Sequence, residues 1–240
     1  MKIILAVTCL FLTMIGCQKE QLKEGQSLVS YRLGVLLAYD SPSAREVFQS
    51  MNRKLLEYQQ GRQEIISIEL KEAHGDVSIL PDQARKLAPQ VDLIVAISTP
   101  ALQAAMIETR NMPIVFSAVA NPYIIKAGRT AVDHDPRITG VCSTAPIKQV
   151  IELIHQVKPE VRKIGTIWTP SEINSEYYLG LMEEAAAEYG LEVMVQPISA
   201  AQDLVQAVQT LVRQQVEVLF PVSDNTINAN FDLIGELAEA

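Results

Sequence analysis

The chain has 240 residues, 48% of them hydrophobic, with 28 acidic side chains against 20 basic ones. A hydrophobic fraction of that size excludes a disordered chain, and at roughly 150 residues per domain the length accommodates one large domain or two modest lobes. A formal charge of −8 leaves no basic surface to neutralise phosphates, which excludes nucleic acid as the main partner.

The first segment reads as an address. Met1-Lys2 supplies a positive start, and Ile3 to Ile15 is an uncharged run broken only by Thr8 and Thr13. It is shorter than the roughly 20 apolar residues of a membrane span and has the length of a signal-peptide core. The run ends at Met14-Ile15-Gly16-Cys17, which resembles the bacterial lipoprotein box with Met14 where leucine is usual. Residues 1–16 are therefore expected to be a lipoprotein signal peptide, Cys17 the acylated mature N-terminus, and the polar residues 17–30 a tether. An ordinary signal peptide is the alternative, but no A-x-A-like cleavage site is present. Each buried CH₂ of an acyl chain contributes about 0.8 kcal/mol, so two or more chains anchor a protein stably. The expected location is the cell envelope, lipid-anchored on the periplasmic or extracellular face. Cleavage removes Cys9 and lipidation consumes Cys17, which leaves Cys142 alone and expected to be a buried structural cysteine.

The body then repeats itself. Arg32 to Tyr39 is a short apolar run, followed by Ser41-Pro42-Ser43 and a helical pattern through Val47, Met51, Leu55 and Tyr58. After Gly61 the pattern predicts a strand over 64–70, a helix over 81–88 and a strand over 91–97. Strands over 113–119 and 138–142 and a helix over 145–157 come next. The opening order returns as a strand over 163–168, a helix to Tyr189, a strand over 191–198, a helix over 203–214 and a strand over 216–222. Arg32-Leu33-Gly34 is matched by Lys163-Ile164-Gly165, and Asp92-Leu93-Ile94-Val95 by Glu217-Val218-Leu219-Phe220. Alternating strands and helices imply parallel sheets covered on both faces. The expectation is an α/β fold of two doubly wound parallel-sheet lobes joined by a hinge, residues 31–142 and 143–240, with the crossing near Cys142 to Pro146.

Five junctions carry a proline beside a small or polar residue: Ser41-Pro42, Thr99-Pro100, Asn121-Pro122, Ala145-Pro146 and Thr169-Pro170. Proline suits the first helical position, and Ser, Thr or Asn before it suits the cap. Thr169-Pro170-Ser171-Glu172 also has capping-box spacing. In parallel sheets such helix starts gather at the carboxyl edge, where ligands bind, and their free N–H groups favour a carboxylate or other anion.

Catalytic signatures are scarce. No nucleotide-binding glycine motif, zinc motif, C-x-x-C or G-x-S-x-G occurs, so no cofactor, no metal and no enzymatic activity are expected. Asp133-His134-Asp135 reads as a solvated turn before Pro136 and not as a metal site. Tyr177-Tyr178 reads as packing and surface, and Trp168 fits either core or cleft wall.

Several strings, in order, resemble the ABC-transporter substrate-binding proteins of the type I periplasmic-binding fold, in the family whose characterised members bind aromatic amino acids. They are Gly75-Asp76, the run Asp92 to Ala101, the run Pro113 to Val119, Ile138-Thr139-Gly140-Val141, Ser171-Glu172-Ile173-Asn174-Ser175 and Asp224-Asn225. The resemblance implies a receptor that closes two lobes on a ligand and presents it to a membrane permease. It implies a cleft containing Tyr39, Ser41, Ser98, Thr99, Asn121, Asn174, Ser175 and Asp224. By chemistry, Ser98 and Thr99 suit a carboxylate, Asp224 suits an ammonium, and Tyr39 and Trp168 suit an apolar wall. Two departures bear on ligand identity. Asn121-Pro122 stands where the family usually has Asp-Pro, and the loop Ala38 to Pro42 is shorter than usual.

The function expected is therefore an extracytoplasmic solute-binding lipoprotein of an ABC importer. Its partners are a small amino-acid-like ligand, an ABC permease and, through the anchor, the membrane. The alternative is a ligand-sensing lipoprotein that signals to a membrane receptor kinase. An α/β enzyme using Asp92 or Asp224 ranks below both. The resembled family continues past Asp224-Asn225 with further strands, so the second lobe is expected to be incomplete at Ala240, the chain truncated, and its ligand binding weak.

Overall fold

The computed structural model describes residues 29–239, so the expected signal peptide, the Cys17 acylation site and most of the expected tether lie outside the described residues. The first lobe runs β1 (Val29–Leu37), α1 (Pro42–Gln59), β2 (Glu64–Glu72), α2 (Leu80–Leu87), β3 (Leu93–Ile97), α3 (Thr99–Glu108), β4 (Ile114–Val119), a small hairpin of β5 (Gly128–Thr130) and β6 (Asp133–His134), and β7 (Ile138–Cys142). Its sheet is parallel throughout, in the order β2-β1-β3-β4-β7. The second lobe runs α4 (Ile147–Val157), β8 (Lys163–Trp168), α5 (Ile173–Glu188), β9 (Glu192–Pro197), α6 (Leu204–Arg213), β10 (Val218–Leu219), α7 (Asn225–Asn228) and α8 (Phe231–Glu239), with a parallel sheet β10-β8-β9. No helix among the described residues is long and apolar enough to cross a membrane.

The strands read as continuous apolar runs because both of their faces are covered. Val35 and Leu37 point to one side, with Val47, Phe48 and Met51 of α1. Leu36 and Ala38 point to the other, with Leu80, Ala84 and Leu87 of α2 and Leu102 of α3. The second lobe closes around Ile164, Ile167, Met182, Leu204 and Leu211. At about 25 cal/mol per Å² of apolar surface removed from water, each such side chain contributes roughly 1.5–3 kcal/mol.

The internal repeat has a packing cause. A Cβ on Gly34 would stand 2.6 Å from Leu87 Cδ2, and one on Gly165 would stand 3.0 Å from Val216 Cγ2. In each lobe the glycine lets the first strand be approached by the end of the second helix or by the turn that follows it. Asp92 and Glu217 are equivalent too. The Arg32 N–H donates to Asp92 Oδ2 at 2.8 Å, and the Arg162 and Lys163 N–H groups donate to Glu217 Oε2 at 2.7 and 2.8 Å. Those backbone bonds hold both carboxyls below the usual carboxylate range.

The fold departs from the sequence reading in several places. β1 begins at Val29, inside the span expected to be tether. Residues 133–134 are half of the β5–β6 hairpin, where a simple turn was expected. The strand expected over 216–222 is reduced to Val218–Leu219, although the Phe220 and Val222 N–H groups still donate to Gly165 and Ile167 of β8. Cys142 is exposed, because it ends β7, the edge strand, at the point where the chain leaves the lobe.

That departure is pinned from both sides. The Ser143 N–H donates to Val119 O at 2.7 Å and the Thr144 hydroxyl to Ala120 O at 2.7 Å, both in the first lobe. The buried Tyr178 hydroxyl, on α5 of the second lobe, donates to Ser143 O at 3.0 Å and accepts from the Ala145 N–H at 2.9 Å. The crossing is thus held by three residues between two sets of anchors.

Candidate ligand-binding cleft

The carboxyl ends of the strands face one another across a cleft of about 270 Å³, lined by residues of both lobes. The first lobe contributes Ser41, Ser43, Ala44, Val47, Ser98, Thr99, Ser117, Ala118, Ala120, Val141 and Cys142. Ser143 lies at the crossing, and the second lobe contributes Asn174, Tyr178, Ser223, Asp224, Asn225 and Asn228. Asp224 is the one Asp, Glu, Lys, Arg or His in this lining.

The first-lobe wall offers donors. Ser41 Oγ caps α1, accepting from the Ala44 N–H at 3.3 Å, and Ser98 Oγ caps α3, accepting from the Ala101 N–H at 3.4 Å. Thr99 Oγ1 accepts from the Ala120 N–H at 3.3 Å. A hydroxyl that accepts a backbone N–H keeps its own proton free, so Ser98 and Thr99 each hold a donor for an anion beside a helix N-terminus. Ser98 has φ 102° and ψ 161°, a region essentially reserved for glycine, and Ala118 beside it has φ 54°. Backbone held in such regions stores about 1–3 kcal/mol per residue and clusters at ligand clamps.

The second-lobe wall offers acceptors. Asp224 is 1% exposed and accepts from the Ile227 N–H at 2.7 Å, the Thr169 N–H at 3.1 Å and the Ser175 hydroxyl at 2.7 Å. Burial, reinforced by the nearby Glu172, pushes its carboxyl up to about 7 despite those three bonds. Asn174, also in the lining, is buried, gives its Nδ2 to Glu172 Oε2 at 3.3 Å and leaves its buried Oδ1 with no partner.

Of the residues singled out in the sequence, Ser41, Ser98, Thr99, Asn174 and Asp224 line one cleft. Ser175 sits behind Asp224, accepting from the Thr169 N–H and donating to the carboxylate. Tyr39 is buried between the lobes, its ring 3.5 Å from where a Cβ on Gly75 would stand and its hydroxyl 3.1 Å from Thr226 Oγ1. Asn121 is outside the lining. No helix follows Pro122, and Asn121 Oδ1 accepts from the Tyr123 N–H at 2.9 Å to close its own turn. Trp168 packs on the second-lobe core, so neither it nor Tyr39 forms the expected apolar wall. Thr169 caps no helix: α5 starts at Ile173, and the Thr169 hydroxyl is buried without a partner.

Sequence reasoning missed Glu172, Tyr178 and Thr226. Glu172 was visible only through its capping-box spacing, and a wholly buried carboxylate reads no differently in sequence from a solvated one. Tyr178 carried only the signal of an aromatic at helical spacing.

Residues 32–240 match the family model described as ABC transporter substrate binding protein. The chain is 31% identical over 176 residues to the tyrosine-binding protein of Clostridioides difficile (strain R20291), a match that covers 72% of this chain and 50% of that protein. It thus spans half the length of this curated relative. Among solved structures, it resembles the ABC domain in complex with L-Trp from Streptococcus pneumonia, with a TM-score of 0.79 and 25% identity over 87% of this chain and 70% of that one. It also resembles a leucine binding protein from Thermotoga maritima, with a TM-score of 0.61 and 16% identity over 80% of this chain and 55% of that one, a likeness of fold alone. The two-lobed parallel α/β architecture is that of the type I periplasmic-binding proteins. With the family model matched over nearly all of the described residues, the chain belongs to the ABC transporter substrate binding protein family.

Proposed function

We propose that this protein is an extracytoplasmic solute receptor of an ABC importer, holding a small amino-acid-like ligand between lobes 31–142 and 143–240 and delivering it, chemically unchanged, to a membrane permease. The observation that carries this reading is the polarity of the cleft. Hydroxyl donors and helix N-termini stand on one side, and Asp224 with the unpartnered Asn174 Oδ1 on the other. A zwitterion satisfies both walls at once, its carboxylate toward Ser41, Ser98 and Thr99 and its ammonium toward Asp224 and Asn174. The modest volume of about 270 Å³, just below the roughly 300–1,000 Å³ of small-molecule sites, suits a ligand no larger than a single amino acid. Relatives that bind tyrosine and L-Trp support the ligand class. Residues 1–16 act as a signal peptide, and an acylated Cys17 anchors the receptor to the envelope.

The test is mass spectrometry of ligand released from purified, denatured protein, followed by calorimetry and thermal shift with the amino acids found. A ligand at 100 times its Kd stabilises the fold by about 2.7 kcal/mol. No released amino acid, and no shift across a panel of amino acids and related metabolites, would sink the proposal.

A further inference from the structure

We propose that Glu172 is a positioning residue that links occupancy of the cleft to the contact between the lobes, an inference that rests on the amino-acid-binding reading for its ligand arm alone. Glu172 is wholly buried and receives five donors: Thr226 N–H at 3.1 Å and Thr226 hydroxyl at 2.9 Å on Oε1, and Asn225 N–H at 3.0 Å, Asn225 Nδ2 and Asn174 Nδ2 at 3.3 Å on Oε2. None of its partners is a Lys, Arg or His. A buried carboxylate without a counter-ion, near a second one in Asp224, is costly to keep, so its bonds have to accomplish something that a neutral side chain would not.

They organise two things. First, Asn174 lines the cleft, and because its amide gives its nitrogen to Glu172, its buried oxygen is the end left without a partner. Second, Thr226 has one hydroxyl proton, and a carboxylate only accepts. That hydroxyl donates both to Glu172 Oε1 and, at 3.1 Å, to the Tyr39 hydroxyl, so its proton is shared between the two. Burial, then the charge of Glu172, raises the Tyr39 phenol and keeps it protonated. Tyr39 follows β1 of the first lobe, whereas Thr226 lies beyond the second sheet, 187 positions away in sequence. A continuous line of hydrogen bonds therefore runs from the cleft through Asn174, Glu172 and Thr226 to Tyr39 across the lobe boundary. A ligand ammonium on Asn174 Oδ1 fixes the amide, and through Glu172 it steadies the turn that Tyr39 holds.

Hydrogen exchange on the full chain tests this. In the ligand-free protein, Tyr39→Phe keeps the ring and deletes the hydroxyl that Thr226 contacts, and it should speed exchange at the Asn225 and Thr226 amides by roughly tenfold. Unchanged exchange overturns the link whatever the ligand is. With L-tyrosine or L-tryptophan as probe, the same amides should slow in the wild type and much less in Tyr39→Phe. A cycle of Tyr39→Phe and Glu172→Gln should be non-additive, the double variant binding the probe no more weakly than the weaker single. Additive losses would overturn the proposal, and Thr226→Val replaces Glu172→Gln if the latter does not fold. Wild-type protein that gives no binding heat with either amino acid contradicts the amino-acid reading instead, and the ligand-free comparison still decides the role of Glu172.

Discussion

The two walls of the cleft grow from the same structural unit, the carboxyl end of a parallel strand running into a helix, yet they have opposite chemistry. In the first lobe the helix starts are capped by neutral hydroxyls, Ser41 and Ser98, which accept from Ala44 and Ala101 and keep their own protons. In the second lobe the corresponding N–H groups are consumed by carboxylates, Asp224 on Ile227 and Thr169 and Glu172 on Asn225 and Thr226. The choice of cap, hydroxyl or carboxylate, decides whether a strand end presents donors or acceptors. A pseudo-symmetric scaffold can thereby orient an asymmetric ligand.

The contrast is broken most severely at Asp224. Asp224→Asn removes the charge that faces an ammonium, a charge-assisted bond worth about 1.5–3 kcal/mol. Calorimetry should show a loss of roughly 10- to 150-fold in affinity for the amino acid and little loss for its analogue lacking the amine. The same carboxyl sharpens the contrast through pH. The folded chain raises it from the ordinary 3.8 to about 7, so the ligand-free fold favours the protonated form between those values and loses stability as pH rises across them. An ammonium needs the ionised form. Affinity should therefore fall by up to about tenfold per unit below pH 7 and level off above it, and in Asp224→Asn it should be flat over the same range.

On the donor wall, Ser98→Gly separates strain from recognition. Glycine relieves a backbone at φ 102° and costs only a few tenths of a kcal/mol as a cap. The melting temperature should rise by about 2–4 °C per kcal/mol released, while affinity falls roughly tenfold with the lost hydroxyl. A rise in both would show that Ser98 is not a ligand donor. At the pivot, Tyr178→Phe leaves Ser143 O and the Ala145 N–H without their partner. It should cost about 1 kcal/mol in denaturant unfolding, with binding changed severalfold at most. The smallest effect belongs to Asn121→Ala, which opens a turn outside the cleft and should leave affinity within about twofold. A large loss there would redraw the wall.

Much of this was legible in the residues. The glycine and acidic pairs, Gly34 with Gly165 and Asp92 with Glu217, marked the repeat because each has a local job, admitting a neighbouring side chain or capping a strand start, that the second lobe needs again. Ser41 was legible for the same reason, since a cap acts within three residues of itself, whereas at Thr99-Pro100 the cap is Ser98, one residue earlier than the proline suggests. Asn121 and Thr169 misled because proline after a polar residue starts a turn as readily as a helix. Cys142 misled because burial depends on which strand lies at the sheet edge.

The sequence by itself determined the strand and helix order, the repeat, the α/β class and some of the helix starts, Ser41-Pro42 the clearest, all of them set by periodicity and short-range sterics. Only the tertiary structure decided which strand ends face each other, that Glu172 and Asp224 are both buried at one wall, and that Tyr39 reaches Thr226 across 187 positions. Those features arise from desolvation and long-range hydrogen bonding. Neither leaves a local mark, because a carboxylate or a hydroxyl has the same letter whether water or a second lobe surrounds it.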